Sequence, residues 1–408
     1  MTSIYYNKII LVFLVFGLLF SGFAGCALIR EKPREIKETA LIRISPSRYP
    51  DFLDDMDYDG LENSIRQSIS YLNRVPPTAE FRFGQDVFHT PHMIRSLEHF
   101  LDFIRTNPAE DQLIRYIRDN YLVYTSMGSD NSKQVLFTGY YEPALEGSLK
   151  KDATYKFPIY ARPDDLTTVD LSLFSPQFQG KTIIGRYTNH SVIPYYDRKE
   201  IDNDRLLEGK AKVIVWVKNP IDLFFLQIQG SGKIYLDNGK TVNVHYHATN
   251  GQPYRSIGKL LVDEGKIPRE EISMQKIRHY LHDHPQEVEA VLNYNPSYVF
   301  FKIEQNGPIG CLEVELTPGR SIALDRRLFP AGALAFIETQ KPLISGDGII
   351  RKWTVLSRFV LNQDTGGAIR GPARADIFWG SGPYAEIAAG HMQEHGSLYF
   401  LVLKPDNH

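Results

Sequence analysis

Gln363-Asp364-Thr365-Gly366-Gly367-Ala368-Ile369-Arg370-Gly371-Pro372-Ala373-Arg374-Ala375-Asp376-Ile377-Phe378-Trp379-Gly380-Ser381-Gly382 holds two acids, five glycines and one proline. Glycine lets the backbone reach positive φ and approach a ligand closely. A solvated loop suits glycine but has no use for Ile377-Phe378-Trp379 directly after an aspartate. An acid followed by apolar bulk is one way to raise a carboxyl pKa by desolvation. Asp376 is therefore the first candidate for a catalytic acid. On these residues alone, a turn–strand–turn with an ion-paired aspartate fits as well.

Working outward, residues 296–405 read as strand and turn. Ser297–Phe301, Leu312–Leu316, Ile322–Leu324, Ala333–Ile337, Trp353–Leu361 and Leu398–Leu403 are the expected strands. Asp325, Asp364 and Asp376 then sit at strand ends in one β block. Acids at adjacent strand ends can share a cleft and push their pKa values apart. Residues 146–295 form a different block, with prolines and tyrosines between short strands. In Phe224-Phe225-Leu226-Gln227-Ile228-Gln229-Gly230-Ser231-Gly232, Gln227 and Gln229 alternate with apolar residues, so a strand puts both amides on one face. That face suits sugar hydroxyls, or simply solvent. His245 and His247 also share a face, but no third ligand follows at usable spacing, so neither a metal site nor a cofactor is expected. Upstream, Val135–Pro143 is a strand that ends in Tyr140, Tyr141 and Glu142, the last read as a surface residue. Before it lie three helical patterns, around 61–72, 93–104 and 113–121, read as scaffold.

The chain has 408 residues, which calls for two or more domains. The break near 146 and the return near 296 point to one domain inserted in another, with a cleft between them. A net charge of −2 offers no basic field for nucleic acid. Of the two cysteines, Cys311 reads as a small core residue. Cys26 closes a leader with Lys8, an apolar run from Ile9 to Phe20, and Phe23-Ala24-Gly25 before the cysteine. The run is too short for a comfortable span. It resembles a lipoprotein signal with cleavage before Cys26 and lipid on its sulfur, although Phe23 departs from the usual Leu; an uncleaved anchor is the alternative. Ala27, rather than Asp, points to the outer membrane. Residues 26–50, with Arg30, Lys32, Arg34 and Lys37, read as a tether.

Thr138-Gly139-Tyr140-Tyr141-Glu142-Pro143, Phe225–Gly232, Asn250-Gly251-Gln252-Pro253-Tyr254, Asn295–Phe301, Leu316–Asp325 and the opening stretch together resemble the MltA family, the membrane-bound lytic murein transglycosylases A. The resemblance spans roughly 135–390. It implies a mainly β protein with flanking N-terminal helices: a double-psi β-barrel carrying an inserted second β-rich domain. The implied division is a signal peptide (1–25), a tether (26–50), helices and the first part of the barrel (51–145), the insert (146–295) and the C-terminal part of the barrel (296–408). The three aspartates of the family's 3D domain match Asp325, Asp364 and Asp376, with Asp376 as catalytic acid. Where many relatives have Asp-Val-Gly-Gly, this chain has Asp364-Thr365-Gly366-Gly367. The implied substrate is the peptidoglycan glycan strand, cleaved between N-acetylmuramic acid and N-acetylglucosamine to leave a 1,6-anhydro end. Tyr140, Tyr141, Gln227, Gln229, Gly366 and Gly367 are the candidates for glycan contacts. A hydrolase with Asp364 and Asp376 as an inverting pair, and a non-catalytic peptidoglycan-binding lipoprotein, are the rival readings.

Overall fold

Six strands close into a barrel in the computed structural model, which describes residues 40–128, 133–367 and 369–405. In chain order they are β1 (Val135–Glu142), β2 (Ser321–Ala323), β3 (Leu334–Ile344), β4 (Ile350–Asp364), β5 (Arg374–Ser381) and β6 (Glu394–Leu403). Around the ring the order is β1-β5-β2-β4-β3-β6, and β6 returns to β1. β2 runs parallel to β4 and β5 parallel to β1, and the other neighbours are antiparallel. Closure removes the exposed edges that an open sheet would leave. The barrel core is apolar and dense, with Phe137, Ile322, Phe336, Phe359, Ile377 and Phe400 all buried.

Three N-terminal helices, α1 (Leu61–Leu72), α2 (Thr90–Ile104) and α3 (Glu110–Asn120), share that core. Their apolar spacing is the one read from the sequence. Gly60, at φ 73°, begins α1 in the left-handed conformation that favours glycine. The leader, Cys26 and most of the tether lie outside the described residues. The end of the tether belongs to the fold: Leu41–Arg43 is a strand paired with Tyr121–Ser126, which in turn flanks β6. Among the described residues no helix is long and apolar enough to cross a membrane.

Between β1 and β2 the chain builds a second six-stranded sheet from Ala144–Ser148, Phe157–Tyr160, Val213–Val217, Ser231–Leu236, Thr241–Thr249 and Val299–Glu304. A bridge between Ala161 and Phe301 links its two outer strands. Val299–Glu304 pairs with Thr241–Thr249 here, not with the barrel. The segment that builds this sheet therefore runs from 144 to 304, rather than from 146 to 295. Leu312–Leu316, expected as a strand, is turn with one bridge between Ile309 and Glu315.

The main correction concerns the two glutamines. Pro220–Gln229 is a helix, α4, and not a strand. Asn219 caps it by accepting from the Ile221 N–H at 2.8 Å, Pro220 occupies the first turn, and Gly230 ends it at φ 79°. Leu223 to Gln227 of α4 are buried in an unbroken run, so its sequence carries neither a clear period of two nor one of 3.6. Two further helices bear on the site, α5 (Met274–Asp283) and α6 (Pro383–His391).

Candidate active site

The β2 strand is only three residues long, and its last residue, Ala323, organises the site. Ala323 is opposite Asp364 on β4 and opposite Asp376 on β5. Directly opposed residues of neighbouring strands project on the same face. Both carboxyls therefore rise on either side of a methyl group, their Cα atoms roughly 10 Å apart, or two strand spacings. Regular pairing would not give this. Ile322 is opposite Asn362, and the register then slips by one residue, so that Gln363 bulges and Asp364 takes its place.

The bulge is pinned from behind. The Gln363 side chain is fully buried and has all its hydrogen bonds. Its Oε1 accepts from Ser321 Oγ at 2.6 Å and Ser64 Oγ at 3.1 Å. Its Nε2 donates to the Ser64 carbonyl at 2.7 Å and Ser68 Oγ at 3.0 Å. Helix α1, read from sequence as plain scaffold, thus fixes the residue that aims Asp364.

Asp364 is held by three donors. Oδ1 accepts from the backbone N–H of Cys311 at 2.9 Å and of Thr365 at 2.8 Å, and Oδ2 accepts from Tyr140 Oη at 2.9 Å. Burial pushes its carboxyl up from the ordinary value, and these donors oppose the shift. The Tyr140 hydroxyl is pushed well up by burial and by the Asp364 charge, so it stays a donor. Among the described residues Asp376 has a single such donor: Thr138 Oγ1 donates to its Oδ1 at 2.6 Å. Thr138 lies directly opposite Asp376 in the parallel β5–β1 pair. Burial pushes Asp376 up to about 6; Asp364 adds to the rise, and Thr138 and Arg374 reduce it. The apolar neighbour on the same side of β5 is Phe378, two residues on, whose ring is 5.2 Å from that of Tyr140. Trp379 projects from the opposite side and covers Gly139, where a Cβ would stand 2.5 Å from the indole nitrogen.

The structure therefore brings together Asp364, Asp376 and Tyr140 and sets the other expected residues apart. Asp325 is fully buried and is bound by Arg327 at 2.6 and 2.9 Å and by the Gly371 N–H at 2.9 Å. Arg327 and the backbone donors outweigh burial and hold it down at about 2. Its hydrogen bonds tie down the 371 turn and favour its charged form. Tyr141 is buried, and its N–H donates to Gln229 Oε1 at 3.0 Å. Gln227 is buried too, its Oε1 taken by Arg198 at 2.6 Å. Two residues apart on a helix, these amides do not share a face. Gly366 and Gly367 follow Asp364 and Thr365, and the positive φ values of this stretch fall further on, at Gly371 (83°), Gly380 (86°) and Gly382 (92°). Nothing described lies within 4 Å of a Cβ placed at Gly367, so the space around that glycine is open. Cys311 is exposed instead of core, and its backbone serves Asp364. Thr138 and Gln363 stand in the quoted motifs without a role of their own, and Ser64 in a helix read as scaffold.

The MltA specific insert domain family matches residues 136–302, and the 3D domain family matches residues 320–402. Membrane-bound lytic murein transglycosylase A of Escherichia coli (strain K12) is 33% identical over 281 residues, which is 68% of this chain and 68% of that protein. Among solved structures, a membrane-bound lytic murein transglycosylase from Agrobacterium tumefaciens superposes with a TM-score of 0.72 at 30% identity, covering 89% of this chain and 98% of that one. E. coli MltA with bound chitohexaose gives 0.65 at 25% identity over 85% of this chain and 91% of that one. With both domains in this order, and a relative a third identical over two thirds of each chain, the chain belongs to the MltA family of membrane-bound lytic murein transglycosylases A.

Proposed function

We propose that the protein is a lytic transglycosylase that cleaves the β-1,4 bond between N-acetylmuramic acid and N-acetylglucosamine in peptidoglycan, with Asp376 as its single acid and base. The observation that carries this is the unequal pair across Ala323. Asp376 is pushed up to about 6 with one donor, while Asp364 has three donors to favour its charge. Asp376 starts protonated and gives its proton to the leaving glycosidic oxygen. Asp364, as the neighbouring anion, stabilises the oxocarbenium charge that develops at C1. Asp376, now a carboxylate, takes the proton of the muramic acid C6 hydroxyl as that oxygen bonds to C1. The nucleophile is already attached to the sugar, so its high effective molarity replaces an activated water. Ordinary glycosidases need a second carboxylate for that water.

An inverting hydrolase would need Asp364 as a base. Its two oxygens already take three hydrogen bonds, which leaves little basicity for a water and favours the single-acid scheme. The glycan relative with bound chitohexaose supports a polysaccharide ligand in the same fold. Of the proposed glycan contacts, Tyr140, Gly366 and Gly367 keep surface beside the acids, whereas Tyr141 and Gln227 are enclosed. The leader, with small residues before Cys26, supports anchoring by lipid to the periplasmic face of the outer membrane, in keeping with relatives named membrane-bound.

Digestion of sacculi with product masses tests the reaction. The wild type releases products lighter by one water than those of a hydrolase. Asp376→Asn folds and binds glycan but lowers turnover by more than about a thousandfold. Near-normal release of anhydro products by that variant, or reducing ends from the wild type, sinks the scheme. Binding without cleavage by the wild type makes the protein a peptidoglycan tether.

A further inference from the structure

Arg374 takes no step in the reaction above, yet it stands two residues before Asp376 on β5 and so on the same face. Its Nη2 donates to Thr138 Oγ1 at 3.3 Å, and that hydroxyl donates to Asp376 Oδ1 at 2.6 Å. Its Nε is buried and has no hydrogen-bond partner among the described residues. The strands hold this geometry: in the parallel β5–β1 pair, Arg374 is opposite Leu136 and Asp376 opposite Thr138. A buried guanidinium atom left unpaired beside the acid costs stability, so the arginine is not there to complete a structural network.

The donor inventory gives it a task. A guanidinium has donors only, whereas a hydroxyl has one hydrogen and can also accept. While Arg374 donates to Thr138, the hydroxyl is polarised into a stronger donor and a weaker acceptor. Its hydrogen then lies on Asp376 Oδ1, the acceptor within reach. Oδ1 becomes an acceptor in both protonation states. The acid's own proton is left on Oδ2, the oxygen free to face the leaving group. Without the arginine the hydroxyl can turn and accept a proton carried on Oδ1, drawing it away from the glycosidic oxygen. We propose that Arg374 is a positioning residue which, acting through Thr138, keeps the transferable proton on Oδ2 of Asp376. The proposal rests on Asp376 being the acid.

The titratable and charged groups around Asp376 are Asp364 at the end of β4, Tyr140 on β1 and Arg374 on β5 itself, with Cys311 beside Asp364. Arg374 and Thr138 lower the acid's pKa and Asp364 raises it, so loss of the arginine charge moves the alkaline fall of activity to higher pH. The test measures kcat and KM against pH for release of anhydro products from soluble glycan strands. The variants are Arg374→Met, Arg374→Lys, Thr138→Val, Thr138→Ser and the Arg374→Met/Thr138→Val double, with Asp376→Asn alongside. Arg374→Met lowers kcat on the acid plateau about tenfold, leaves KM within about twofold and moves the alkaline limb upward. Arg374→Lys and Thr138→Ser recover most of the loss. On the acid plateau the double variant is no slower than Thr138→Val, because there the arginine acts through the hydroxyl. A wild-type plateau in Arg374→Met, or losses that multiply in the double variant, overturns the relay. If Arg374→Met does not fold, Thr138→Val carries the decision, and an unchanged plateau and limb there overturns it equally. An active Asp376→Asn is a separate failure, that of the acid assignment itself.

Discussion

Asp376 and Asp364 are both aspartates, and their surroundings separate them. Asp364 bears on the acid through its charge, so Asp364→Asn lowers the pKa of Asp376. The protonated form is the one that starts the reaction, so the alkaline fall of kcat/KM moves to lower pH, with a smaller loss on the acid plateau than Asp376→Asn shows. A pH–rate profile reads this directly, and an unmoved limb assigns Asp364 to structure alone. The raised pKa also has a stability consequence. Asp376 binds its proton more tightly folded, at about 6, than at its ordinary 3.8. Its contribution is therefore full below the lower value and is lost as pH rises through the upper one. The difference is at most roughly 3 kcal/mol. Asp376→Asn accordingly raises the unfolding midpoint at pH 8 relative to wild type but not at pH 4, as thermal melts at the two values will show.

At the scale of elements, the slip between β2 and β4 is the decisive feature. It turns Asp364 onto the face of Asp376 at the expense of a bulged, buried Gln363. Gln363→Ala leaves the Ser64 and Ser321 hydroxyls without their acceptor and Ser68 without a donor. A loss of about 3 kcal/mol in urea unfolding is expected. Activity falls even well below the melting temperature, since nothing then holds the bulge. Ser64→Ala, which removes one contact, has the same sign and a smaller size. Equal activity in Gln363→Ala and wild type at low temperature assigns the aim of Asp364 to β2 alone.

At the scale of the whole molecule, β1 leads from the barrel into the second sheet, and two contacts bind the passage. Gln229, at the end of α4, accepts from the Tyr141 N–H at 3.0 Å. Glu142, read from sequence as a surface residue, is 2% exposed and paired with Lys233 at 3.0 Å. One Glu142 oxygen has no partner, so the charge depends on the lysine. Lys233→Met leaves a buried carboxylate uncompensated, and a destabilisation of about 3 kcal/mol in chemical denaturation is expected. Lys233→Met/Glu142→Gln recovers much of it. Gln275 of α5 donates to the Glu386 carbonyl of α6 at 2.8 Å, so the segment between β1 and β2 touches the barrel's last helix as well.

The sequence by itself determined the mainly β class, the helices at the start and the interruption between two barrel parts, and it offered Asp376 as a candidate acid. Those features are local: a period of residues, a cap, a glycine turn, an acid before apolar bulk. It failed where burial erased the period, as in Pro220–Gln229, whose unbroken buried run from Leu223 to Gln227 reads as a strand although Asn219-Pro220 and Gly230 mark a helix. It also could not separate three aspartates of similar setting. That separation depends on what stands across the strand: Arg327 beside Asp325, three donors around Asp364, one threonine against Asp376. Register decides those partners, and a slip of one residue reverses the face on which a side chain emerges. The slip at Gln363 is held by serines nearly three hundred residues away, a pairing that only the tertiary structure contains.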